Sequence, residues 1–157
     1  MSNRIKLTTN FWADEYIPRE LYLRLEAKPD ILIGLIDPRL VKADQLLRDQ
    51  FGSTTINNWW GLSNEQFEFE IKKPVGERWV RNESGLRIFG TETGASLSQH
   101  LYGRGSDKIY KYPAEEVRDY IKIHYKTLGI TCIEANVSWV HSDTRWVMRN
   151  ELLIVYP

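Results

Sequence analysis

Two stretches of this chain carry both a start and a stop signal for a helix, and they constrain its fold more than any other feature. Asp37-Pro38 supplies an N-cap and a first-turn proline, and Gly52 supplies a stop. Between them Leu40, Ala43, Leu47 and Phe51 recur at helical spacing. The second stretch opens at Pro113, with Glu115 and Glu116 in the first turn, where acids suit the positive end of the helix dipole. Val117, Tyr120, Ile121 and Leu128 share one face of it, and Gly129 ends it. A shorter helix is predicted over 18–27, after the leading Pro18. Runs rich in β-branched and aromatic residues at 3–8, 54–60, 67–71, 131–135, 137–145 and 151–156 read as strands. Residues 73–84 and 85–97 read as loops. Strands and helices in mixed order predict an α+β fold, built as a single domain over 1–157.

Composition narrows the function. Apolar residues make up 42% of the chain and aromatics 12%, enough for a real core and against disorder. Lys and Arg number 21 and Asp and Glu 21, so the formal charge is zero and no basic stripe marks a nucleic-acid binder. The longest apolar runs fall short of the ~18 residues that a membrane span needs. The first ten residues, MSNRIKLTTN, lack the apolar centre of a signal peptide. The single cysteine, Cys132, excludes an internal disulfide framework and an all-cysteine zinc site. It reads as a small buried apolar residue in a chain made in a reducing cytoplasm.

There are three histidines. His124 lies in the second helix and reads as a surface residue. His100 and Asp107 are seven positions apart with Gly103 and Gly105 between them, which permits a turn that returns both side chains to one point. Imidazole nitrogen and carboxylate oxygen both bind Zn²⁺, at ~2.0–2.2 Å. On a strand over 137–145, Val137, Trp139, His141 and Asp143 share a face, and Cys132 and Glu134 share a face of the strand before it. An acid beside a histidine ligand acts as its orienter or as a general base. Glu134 and Asp143 also fit the plainer role of strand carboxylates paired with a nearby Arg or Lys. Trp59, Trp60, Trp79, Trp139 and Trp146 fit core or cleft-wall packing better than a glycan groove.

The segment S-x-H-x-x-G-x-G-x-D at 98–107, followed by W-V-H-S-D-T-R at 139–145, resembles the zinc D-Ala-D-Ala carboxypeptidases, which share a fold with the hedgehog signalling domain. The likeness is closest to the small stand-alone peptidases of bacteriophages and bacteria. It extends to Asn10-Phe11 with Glu15-Tyr16, to 46–59, to the Ser-Gly-x-Arg step at 84–87 and to 130–134. The resemblance implies a central, mostly antiparallel sheet flanked by helices. It implies His100, Asp107 and His141 as ligands of one Zn²⁺, with water in the fourth position. Glu134 is then the first candidate for the base and Asp143 the second. Arg87 and Ser98 are the substrate-binding candidates: Arg87 for gripping the peptide's terminal carboxylate, and Ser98, which hydrogen-bonds within the metal loop and is no nucleophile. The implied substrate is the peptidoglycan stem peptide, cut at or near D-alanine, and the implied partner is a virion or a holin-type export route. The expected location is the host cytoplasm before lysis, or the virion. The chain departs from the family at Ser138, where many members carry glutamate, at Gly105 in place of alanine, and at Lys108 in place of an apolar residue. The missing acid at 138 leaves open a non-catalytic zinc-containing module that binds the wall or belongs to the virion. A domain without metal, its histidines purely structural, is the third alternative.

Overall fold

The computed structural model describes residues 4–90, 98–148 and 150–157, so the part of the predicted 85–97 loop from 91 to 97 lies outside the described residues. In chain order the elements are α1 (Arg19–Leu25), α2 (Pro29–Gly34), α3 (Pro38–Phe51), β1 (Thr54–Thr55), α4 (Asn64–Ile71), β2 (Gly105–Tyr110), α5 (Ala114–Leu128), β3 (Cys132–Glu134), β4 (Val140–Asp143) and β5 (Leu153–Val155). The five strands form one sheet in the order β1-β2-β4-β3-β5. An α+β architecture with helices against a sheet is therefore present. The expectation of a mostly antiparallel sheet is corrected to a mixed one, because β5 runs parallel to β3. Among the described residues no helix is long and apolar enough to cross a membrane.

Both long helices form where their end signals stand. The Asp37 carboxylate accepts the Arg39 backbone N–H, and Gly52 and Gly129 adopt φ of 79° and 76° at the C-terminal ends. α3 divides the core. Leu40 and Val41 pack with Phe11, Tyr16, Tyr22 and Trp59. Ala43 and Leu47 pack with Val117, Ile121, Ile133 and Val140. Thus α3 and α5 cover one face of the sheet with apolar side chains, and β2 and β4 present their other face elsewhere.

The reading of 67–71 as a strand is overturned, since Phe67 to Ile71 lie in α4. Phe-Glu-Phe-Glu alternates with period two, but Ser63 and Gln66 close a capping box just ahead of it: the Ser63 Oγ accepts the Gln66 N–H, and the Gln66 Oε1 accepts the Ser63 N–H. The predicted strand at 3–8 reduces to an isolated bridge between Lys6 and Trp12. The strand expected at 54–60 keeps only its first two residues, because Asn57 and Asn58 leave the ladder to bond Glu15, Arg81 and Ser84.

Two glycines of the sequence motifs sit where backbones touch. A Cβ at Gly85 would stand 2.3 Å from the Tyr16 carbonyl oxygen, and one at Gly103 would stand 1.9 Å from that of Leu35. Gly103 also adopts φ of 63°, and its carbonyl accepts the Asp37 N–H. Gly103→Ala should therefore destabilise the fold by about 3 kcal/mol, read by urea unfolding. An unchanged midpoint would refute this account of the close approach.

Candidate metal centre

Asp107 and His141 are brought together by register. β2 and β4 pair antiparallel with Asp107 opposite His141 and Gly105 opposite Asp143. Directly paired residues present side chains to the same face. Alternation then sends Ser106, Lys108 and Ser142 to the opposite, helix-covered face. Gly105 keeps room beside the ring, for a Cβ there would lie 3.3 Å from His141 Cε1. β3 joins β4 with Cys132 opposite Asp143 and Ile133 opposite Ser142. Alternation along β3 puts Glu134 on the same face as Cys132, whose partner Asp143 bonds the His141 ring.

His100 comes from the short 3-10 turn Gln99–Tyr102, whose first N–H groups are capped by Ser98: its Oγ accepts the His100 N–H at 3.4 Å. The stretch 84–87 clamps the turn from the other side. Asp107 N–H donates to the Ser84 carbonyl and Arg87 N–H to that of His100.

The three donors converge. His141 Nδ1 lies 2.7 Å from Asp107 Oδ1, His100 Nε2 lies 3.2 Å from His141 Nδ1, and His100 Nε2 lies 3.3 Å from Asp107 Oδ1. All three residues are buried. Ligands bound at ~2.1 Å to a tetrahedral ion stand ~3.4 Å from one another, so two of the three edges already have that length. The remaining nitrogens are committed. His100 Nδ1–H donates to the Gly85 carbonyl at 2.6 Å, and His141 Nε2–H to Asp143 Oδ2 at 3.2 Å. Each ring thus presents its other nitrogen to the common point, the tautomer control that metal-binding histidines need. The residues fit a divalent ion.

The electrostatics agree. Burial would raise the Asp107 pKa, but hydrogen bonds from His100 and His141 and their charges hold it well below the usual carboxylate range. Burial would lower that of His141, but the bonds to Asp107 and Asp143 and the charge of these acids hold it up at about 9. At neutral pH the ring is an imidazolium, and an ion must displace a proton from Nδ1. Metal affinity should therefore fall about tenfold for each pH unit below about 9, measured by chelator competition between about pH 6.5 and 8.5. An affinity independent of pH would contradict this protonation state.

The other expected site residues divide. Asp143 is fully buried and engaged: Arg145 donates from Nε and Nη2 to it at 2.9 and 2.6 Å, and its Oδ2 holds His141. Arg87 donates from Nη2 to Asp107 Oδ2 at 3.2 Å and from Nε to the Glu83 carbonyl. Glu134 is half-buried and its carboxylate has no hydrogen bond or ion pair among the described residues. Ser138 is exposed on the turn before β4. His124 is exposed and rests on Tyr120, and Cys132 is buried with its thiol pushed up to about 12, chiefly by burial. The plainer role offered for Asp143, a carboxylate paired with a nearby Arg or Lys, is met by Arg145, two residues beyond the end of β4, which sequence reasoning did not name. It also missed Gly85, whose contribution is a backbone carbonyl and leaves no side-chain signature.

Fold and site together define an α+β protein whose sheet and Gln99–Tyr102 turn hold a buried two-histidine, one-carboxylate group that could bind a metal ion. Comparison with known families, with curated proteins and with solved structures returns no match.

Proposed function

We propose that the protein is a zinc metallopeptidase that hydrolyses peptidoglycan stem peptides at or near D-alanine, of the stand-alone kind that phages carry. The observation that carries this reading is the convergence of His100 Nε2, Asp107 Oδ1 and His141 Nδ1, each imidazole braced on its far side. Three protein donors leave a place for a further ligand, the pattern of catalytic rather than structural zinc. Zinc bound there would acidify a water and polarise the scissile carbonyl.

The chain's own residues divide the remaining work. Glu134, on the same face of β3 as Cys132 and with its carboxylate unengaged among the described residues, is the group able to take a proton from the attacking water and return it to the leaving amine. Asp143 serves to aim His141, since Arg145 and the ring already occupy its oxygens. Arg87 holds the outer oxygen of Asp107 and so directs Oδ1 at the ion. To meet its substrate, such an enzyme would pass a holin-type pore or travel on a virion.

Purified zinc-loaded protein should release amino acid or shortened stems from muropeptides, followed by chromatography. Glu134→Gln should lower kcat by about 10²–10⁴-fold while zinc content stays unchanged. Exposed Ser138, where relatives by resemblance carry an acid, favours the second reading, a zinc-containing wall-binding module without turnover. Binding to peptidoglycan with no product would select that reading instead.

A further inference from the structure

Close to the triad lies a second guanidinium that the metal does not need. Arg81 donates from Nε to the Ile56 carbonyl at 3.0 Å and from Nη2 to the carbonyl of Asp107 at 3.4 Å. It is half-buried, and among the described residues no carboxylate stands within ion-pair distance of it. The acid whose charge acts on it is Asp107. That carboxylate is already divided between His100, His141 and Arg87. Arg81 is thus a partly desolvated positive charge with two carbonyl contacts and, among the described residues, no counter-ion at ion-pair distance. Such a charge is costly unless something compensates it. Arg87, by contrast, has its counter-ion in Asp107 at 3.2 Å.

The donor count completes the argument. A guanidinium has five N–H groups, and the two carbonyls engage one on Nε and one on Nη2. Both hydrogens of Nη1 and one of Nη2 remain, the outer edge of the fork that meets a carboxylate through two parallel bonds. The fork is tied to the backbone of Asp107 itself, a candidate metal ligand on β2.

We infer that Arg81, rather than Arg87, reads the free carboxylate at the C-terminus of the peptide and makes the enzyme prefer acids over amides there. The inference rests on the peptidase reading of the site. Arg81 is a specificity residue in it, and Arg87 a positioning residue for Asp107.

The test compares N-acetyl-D-alanyl-D-alanine with its C-terminal amide on zinc-loaded protein. Binding is measured calorimetrically in a Glu134→Gln background, so that the probe survives, and KM is measured in the parent. The parent should favour the acid over the amide at least tenfold. Arg81→Gln should abolish that preference by weakening the acid alone, with zinc content and melting temperature retained. Arg81→Lys keeps the charge without the fork, so it should recover only part of the preference, and it supplies the reading if Arg81→Gln fails to fold. Binding with preference but without turnover would keep Arg81 in its role and remove the peptidase. A parent that binds both probes equally or neither, or an Arg81→Gln protein that retains the preference, would overturn the inference.

Discussion

His141→Ala should fold and lose zinc affinity by on the order of a thousandfold. Structural zinc in zinc-finger peptides is bound with ~10–16 kcal/mol through four ligands, so a ligand carries several kcal/mol, and about 4 kcal/mol corresponds to 10³ in affinity. His141 is also the hub of the group, within 2.7 Å of Asp107 Oδ1 and 3.2 Å of His100 Nε2. Asp143→Asn keeps the ligands but turns a strong acceptor into a weaker one at the far nitrogen of the ring, and should cost only ~10–100-fold. Chelator competition on both variants gives the comparison. If His141→Ala binds zinc within tenfold of the parent, the three donors do not share an ion, and the proposed chemistry goes with them.

The second large effect lies on the opposite face of the sheet, on the neighbouring strand β2. Lys108 and Asp44 are fully buried, with Nζ 2.9 Å from Asp44 Oδ1. Nζ also donates to Ser106 Oγ and Ser142 Oγ at 2.8 and 2.7 Å, and Ser106 Oγ and the Tyr16 hydroxyl donate to Asp44 Oδ2. Lys108→Met would leave the Asp44 charge in the core without its cation, at a cost of about 3–5 kcal/mol. For a chain of this size that lowers the melting temperature by about 10 °C or more. Lys108→Met with Asp44→Leu should recover most of the loss, because removing both charges removes the uncompensated one. Urea unfolding of the single and double variants decides, and a single variant within 1 kcal/mol of the parent, roughly the median of ordinary substitutions, would refute the role of the pair.

The parts legible in the sequence were those with local causes. Asp37 with Pro38 and Gly52, and the acids after Pro113 with Gly129, mark α3 and α5 because caps and turn residues act within a few positions. The triad was legible because its residue types are rare here and the glycines between them permit a return. Gly85 and Gly103 stood in the motifs, but the carbonyls of Tyr16 and Leu35 that exclude a side chain there belong to distant segments. Lys108 stands where the resemblance expects an apolar residue, and its partner in the core pair, Asp44, belongs to the distant helix α3. The parallel docking of β5 on β3 had no local signal either, since strand order depends on pairing between remote segments. In α4 a period-two pattern competed with a capping box, and the cap prevailed.

The antiparallel ladder that sets Asp107 opposite His141 has a consequence for biogenesis. The two residues are 34 positions apart, so a nascent chain offers an ion no chelating pocket until that ladder has zipped. On the proposed metal-binding reading, loading follows folding, and an ion captured afterwards would draw the equilibrium toward the native state by mass action, with ~2.7 kcal/mol gained at a hundred times Kd. Scarcity of such an ion would then shorten the protein's lifetime against proteases.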